Sequence, residues 1–546
     1  MNHFARILIV LAVLPAAIQA QTQTQPNAAE HLGKVSFPVS CRASLQAPFN
    51  RGVALLHDFW YDEAQRQFAQ IAKLDPRCAL AHWGNALAIY HQIWNRPNEA
   101  EMAAGWAEMQ KAAAPPAKSA RERAYVAALS RFYAPGAQDY QARAQAYSAA
   151  MGDVYRRYPK DVDAGAFYAL SLLAAAAPND TSLTQEHKAL AVLQPLFVKY
   201  PDHPGVVHYM IHACDTPSLA SEGLAAAEHY GDIASSGAHA VHMPGHIFAR
   251  LGLWQEDIHA NLGSVAAAQT ALARHQSDGM DQLHSNDFLM YAYLQSGQEA
   301  HAKSVIEESS KLLDHFEAMP EMTSSFMHDV FPYYRSKMPA FYALETRDWT
   351  AAAALQPVAG APPETQSLTY WARIVAEGHL NQHEAARADL AAYEALQVEV
   401  RKGKHAYYAD STGARIERGE MLAWVAFAGD EQLGALKQMR DSADLQDKVG
   451  QGEVDIPARE MLADMLLELH QPQQALIEYD RALKLSPNRF NGLFNAGMAA
   501  EAAGDNARAQ SYYAALLKST DEGSQSGRHE FDHVKSFVLT AKVAAQ

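Results

Sequence analysis

Leu462 to Leu517 reads LADMLLELHQPQQALIEYDRALKLSPNRFNGLFNAGMAAEAAGDNARAQSYYAALL, and this stretch decides the fold. Displaced by 34 residues, it overlays itself. Ala463 falls on Gly497, Ala475 on Ala509, Tyr479 on Tyr513 and Ala482 on Leu516. Apolar residues recur at helical spacing on either side of Gly504-Asp505, which marks a turn. Pro487 closes the first unit, where a helix must stop anyway. The unit is a pair of antiparallel helices, with small residues where they cross and one aromatic residue filling the gap.

The same offsets recur along the chain. Gly52, Ala64, Phe68, Ile71 and Pro76 occupy them near the N-terminus, and the unit starting at Ala79 carries Ala86. Ala189, Leu193, Leu196 and Pro201 close another. Gly245 with the LGLW turn at Leu251 to Trp254, and YAYLQSGQEAHA from Tyr291 to Ala302, repeat the helix–turn–helix form. A 34-residue period with this pattern is that of the tetratricopeptide (TPR) repeat. One helix pair cannot bury its apolar face alone, so neighbours stack into a continuous core. Period-two alternation is missing, so strands are not expected. The fold class is therefore all-α, a TPR-type α-solenoid.

The domain reading follows. Residues 1–20 form a signal peptide, with Arg6, an apolar run from Ile7 to Leu14, and small residues up to a cleavage site after Ala20. Residues 21–44 form a flexible segment, 45–520 a solenoid of about eleven helix pairs, and 521–546 a C-terminal tail with a capping helix. Export implies a periplasmic or secreted protein with no transmembrane anchor once the signal is cleaved. In an oxidising compartment one of three cysteine pairs can close, and Cys41 with Cys78 is favoured because they flank the first hairpin. Cys214 is then left over.

The chain has 546 residues, 49% hydrophobic and 19% charged, an ordinary globular balance that argues against disorder. Its formal charge of −16 disfavours nucleic acid as a partner. No Walker loop, dinucleotide fingerprint or GxSxG elbow is present. No catalytic residue is assigned, and the balance leans away from an enzyme.

The 25 histidines keep step with the repeat. His57 and His91, His208 and His242, and His212 and His246 are each 34 residues apart. In repeat phase they lie on first helices, on the face that lines the concave groove. His208 and His212, four apart, share one helical face. The tetrad His208, His212, His242 and His246 is thus a candidate metal site, its imidazoles suiting zinc or copper. The next unit adds His284, Asp287 and Tyr291 to the groove, and Asp215 is a further oxygen ligand or an orienting partner. With 25 histidines about one pair falls at any chosen spacing by chance, and histidine also packs in TPR grooves without metal. Pro244 starts a helix between His242 and His246, which displaces His242 from the assumed face.

His529-Glu530-Phe531-Asp532-His533 matches HExxH, the zinc-protease spacing. It lies beyond the last repeat with no third ligand after it, so a solvated capping helix is the better account.

The strings GVALLHDFWYDEAQRQF (Gly52 to Phe68), CALAHWGNALA (Cys78 to Ala88), HYMIHACD (His208 to Asp215), HMPGHIFARLG (His242 to Gly252) and SPNRFNGLFNAG (Ser486 to Gly497) carry a closer likeness. Through them the chain resembles a family of exported bacterial TPR proteins of uncharacterised function. The resemblance implies the fold and supplies no catalytic residues. Two functions stand open. The first is an interaction module that holds a protein or peptide segment, or a small ligand, in a histidine-lined concave groove. The second is a metal-binding protein or metal-dependent enzyme built on the tetrad.

Overall fold

The computed structural model describes residues 30 to 544, except 94–95, 115–116, 137, 178–179, 277–278, 319–326, 404–405, 451, 453 and 521–526. The expected signal peptide lies outside the described residues. Among the described residues there are no strands, and no helix is long and apolar enough to cross a membrane.

Antiparallel helix pairs follow one another from Gln46–His57 and Tyr61–Leu74 to Phe490–Ala502 and Asn506–Ser519. The repeat positions explain the pairing. A Cβ on Gly52 would lie 2.8 Å from the Phe68 ring, and one on Gly497 would lie 2.2 Å from the Tyr513 ring. The aromatic of the second helix therefore fills the notch left by the missing side chain of the first. Ala64, Ala475 and Ala509, at the crossing points, are fully buried. The turn inside a pair needs one left-handed residue to reverse the chain. Gly252 and Gly504 provide it, and elsewhere non-glycine residues accept it: Phe59, Arg347, Asn381, Asp430 and His470 all have positive φ.

The pairs build two contiguous cores, Leu32 to Ala260 and Ala249 to Val534, which meet around the helix Pro244–Leu251. The superhelix also coils back on itself. The Trp60 indole donates to the Gln276 carbonyl (2.8 Å), and the Trp254 indole donates to the Asn488 carbonyl (2.7 Å). Gly252 lies so close to this second turn that a Cβ there would sit 2.2 Å from the Pro487 carbonyl. Arg489, fully buried, binds Glu345 and Glu460 and donates to the Tyr291 hydroxyl.

The segment read as flexible is packed where it is described. Phe37 is buried among Phe49, Trp83 and Tyr125, with ring centroids 5.2–5.7 Å apart. Its backbone N–H donates to Asn50. Cys41 is disulfide-bonded to Cys78 with Cα atoms 4.9 Å apart, so the segment is tied to the first hairpin. At the other end, the helix Glu530–Ala544 caps the core, setting Phe531 against Phe490.

Candidate metal centre

The helix Pro204–Cys214 opens on Pro204, and the His203 ring caps it by accepting from the Val206 N–H. Its inner face presents His208 and His212, their rings 4.7 Å apart. The first helix of the following pair is broken. Ala238–His242 ends just before Pro244, which opens Pro244–Leu251. This break does not carry His242 away. It turns the short helix so that His239 joins His208, while His242 still faces His246. His284, on Met280–Gln295, completes the group.

The histidines form two triads. In each, one nitrogen from every ring lies within 4.8 Å of the others: His208, His212 and His239 in one, His242, His246 and His284 in the second. The triads are neighbours, with the His239 and His242 rings 6.3 Å apart and the His212 and His246 rings 6.5 Å apart. Each has a phenylalanine wall. Phe59 stacks on His212 and His239, and Phe288 packs on His242 and His246.

Hydrogen bonds fix the tautomers. The His208 Nδ1–H donates to the His57 carbonyl, so its Nε2 carries the lone pair, 3.2 Å from His239 Nε2. The His246 Nδ1–H donates to Asp215 Oδ2 (2.9 Å), and Arg250 donates to Asp215 Oδ1 (3.0 Å). The His242 Nδ1–H donates to Asn261 Oδ1 (2.7 Å). Asn261 must accept there, because its amide nitrogen donates to Asp257 Oδ1 (2.7 Å). The Nε2 atoms of His242 and His246 face each other 3.0 Å apart, and in the neutral rings both are acceptors. Burial pushes His208 down to about 3 and holds His239 well below its ordinary value, so both rings are neutral, as ligation requires.

Of the residues read from the sequence, His208, His212, His242, His246 and His284 converge. The expected single tetrad is instead divided between two triads, because the broken helix pairs His242 with His246 and leaves His208 to His239. Asp215 orients His246 and touches Arg250. The others lie elsewhere. Asp287 is ion-paired with Lys337. The Tyr291 hydroxyl donates to the Asp455 carbonyl. His91 stacks on Tyr61, 4.6 Å between centroids. His57 is fully buried, its Nε2–H donating to Asp163 (3.0 Å) and its Nδ1 accepting from Tyr209 (2.9 Å). Asp163, held well below the ordinary carboxylate range by His203 and His57, ties these rings together against the cost of its own burial. His57 meets the centre only through its carbonyl.

The tetrad does not line an open groove, since His208 and His242 are fully buried. Cys214 is a free thiol, buried and pushed up to about 12 by desolvation. The HExxH residues diverge: His529 is exposed, Glu530 pairs with Arg528, and His533 binds Glu501 (2.7 Å). Sequence reasoning missed His239, Asn261 and Asp257. His239 is out of phase with the 34-residue repeat, but the run His239, His242, His246 at i, i+3 and i+7 was its signal.

No protein-family model matches this chain, and no curated protein matches it. Among solved structures, it is similar to the yeast Tom70 crystal structure, with 13% identity over 91% of this chain and 96% of that one, at a TM-score of 0.34. It is also similar to the TPR domain of P58(IPK), with 13% identity over 70% and 99% of the two chains, at a TM-score of 0.21. The architecture stands on the helix pairing itself.

Proposed function

We propose that this is a metal-binding protein of an exported, oxidising compartment, in which each histidine triad holds one transition-metal ion, zinc or copper. The observation that carries this reading is the approach of His242 Nε2 to His246 Nε2 at 3.0 Å. With the Nδ1 of each neutral ring donating to its own partner, both Nε2 atoms are presented to the same space, where one cation can take both. His284 adds a third ligand, and the phenylalanine walls lower the local dielectric. The bonds from Asp215, Asn261 and the His57 carbonyl are those that orient metal-binding imidazoles. Three neutral histidines per ion leave a coordination position open, and such an ion supplies Lewis-acid chemistry or, as copper, redox chemistry. The Cys41–Cys78 disulfide supports the compartment.

The test is metal content by mass spectrometry on tag-free protein, before and after reconstitution with Zn(II) or Cu(II). Beside it stand the variants H212Q and H246Q, chosen because these rings are only half-buried. The expected result is near-stoichiometric metal at each triad, with each variant losing its own share. Protein that takes up neither metal overturns the reading. It leaves the concave face as an interaction surface for a protein or peptide segment, to be sought by pull-down.

A further inference from the structure

A cavity of about 660 Å³ opens on the inside of the superhelix, between the helices Met327–Glu345, Pro363–His379 and Thr412–Ala428 and the segment preceding Ala458–Glu468. That is the size of a small-molecule site. Its walls are aromatic on one side, where Phe341 and Trp371 lie 5.9 Å apart and Tyr408 stands at the rim. Glu417, Glu420 and Asp455 line the other side, with Asp410 further out.

Glu420 is 2% exposed. Its Oε2 accepts the Trp371 indole N–H (2.8 Å), and its other oxygen has no hydrogen-bond partner among the described residues. Glu417 lines the same cavity with its side chain open to solvent, and no ion pair holds it among the described residues. Two cations lie close by, and Arg96 itself lines the cavity. Lys337 is paired with Asp287, and the Arg96 guanidinium sits 5.0 Å above the Tyr140 ring. A buried carboxylate with one oxygen left unbonded, beside a second carboxylate and aromatic faces, is the complement of an organic cation.

We propose that this cavity binds a small organic cation, an ammonium or guanidinium group on an apolar body, with Glu417 and Glu420 taking the charge and Trp371 and Phe341 the body. The inference is independent of the metal reading. Desolvation, and then repulsion by the Asp455 carboxylate, raise both groups, Glu420 to about 8 and Glu417 less far. An incoming cation favours their ionised forms, so binding near neutral pH releases protons.

The test is titration calorimetry of the full chain with 2-phenylethylamine, agmatine and choline, and with 2-phenylethanol as the uncharged counterpart of the first. The expected result is that at least one of the three cations binds, that its heat depends on buffer ionisation in the sense of proton release, and that 2-phenylethanol does not bind. E420Q keeps the acceptor for Trp371 and is expected to weaken binding by about tenfold or more. E417Q, at a site with no hydrogen bond to lose, is expected to weaken it too and keeps the test valid should E420Q fold poorly. Binding that survives both substitutions, equal binding of the alcohol, or no binding by any of the three cations overturns the proposal. Repeating the titration on chelator-treated protein separates the two sites: the affinity is expected to be unchanged there whatever the metal content.

Discussion

Single residues decide how the histidine centre is poised. Asp215 spends one oxygen on the His246 Nδ1–H and the other on Arg250, so it fixes both the ring and its tautomer. D215N preserves the shape and removes the charge. Metal affinity at the second triad is expected to fall by about 10–100-fold while the first is unaffected, measured by competition with a chromophoric chelator. Equal losses at both triads would assign Asp215 a general structural role instead. Glu420 gives a prediction of opposite character. It ionises near 4.5 in the unfolded chain and near 8 when folded, because burial disfavours its charge. A group raised in this way contributes fully below the lower value and loses its contribution as pH climbs through the upper one. E420Q is expected to gain on the wild type by more than about 1 kcal/mol at pH 8 relative to pH 5 in urea titrations, and an unchanged gap would contradict the assignment.

At the level of the helix pair, packing follows positions that could be read directly. Gly52 with Phe68 and Gly497 with Tyr513 are notch and plug, and their spacing within the 34-residue unit announced them. G497A is expected to cost about 1–3 kcal/mol, since the added methyl meets the Tyr513 ring, and the loss should appear as a lower urea midpoint at unchanged slope. The histidine triads were legible only in part. His208, His212, His242 and His246 follow the repeat and could be found by period. His239 could not, because Pro244 interrupts its helix and the repeat offset no longer says which way a side chain points. His57 kept the period but not the role: its unit turns it into the core toward Asp163 rather than toward the concave face.

At the level of the whole molecule, what the sequence did not disclose is what the superhelical path brings together. The cavity is assembled from Arg96, Phe341, Trp371, Glu420 and Asp455, which no local pattern connects. The same holds for Arg489, whose partners Glu345 and Glu460 are 144 and 29 residues away. R489A leaves those carboxylates buried without their cation. It is expected to destabilise the protein by about 3–5 kcal/mol in chemical denaturation, whereas a loss below about 1 kcal/mol would show that water or rearrangement replaces the guanidinium.

The two tryptophan bonds that join distant turns, Trp60 to Gln276 and Trp254 to Asn488, have a mechanical meaning. A solenoid whose units touch only their immediate neighbours behaves as a spring, lengthening smoothly when its ends are drawn apart. Here adjacent coils are latched to one another. Under tension the chain should resist at nearly constant length until a latch yields and only then extend, and the compartment enclosed by the coils keeps its dimensions until that force is reached.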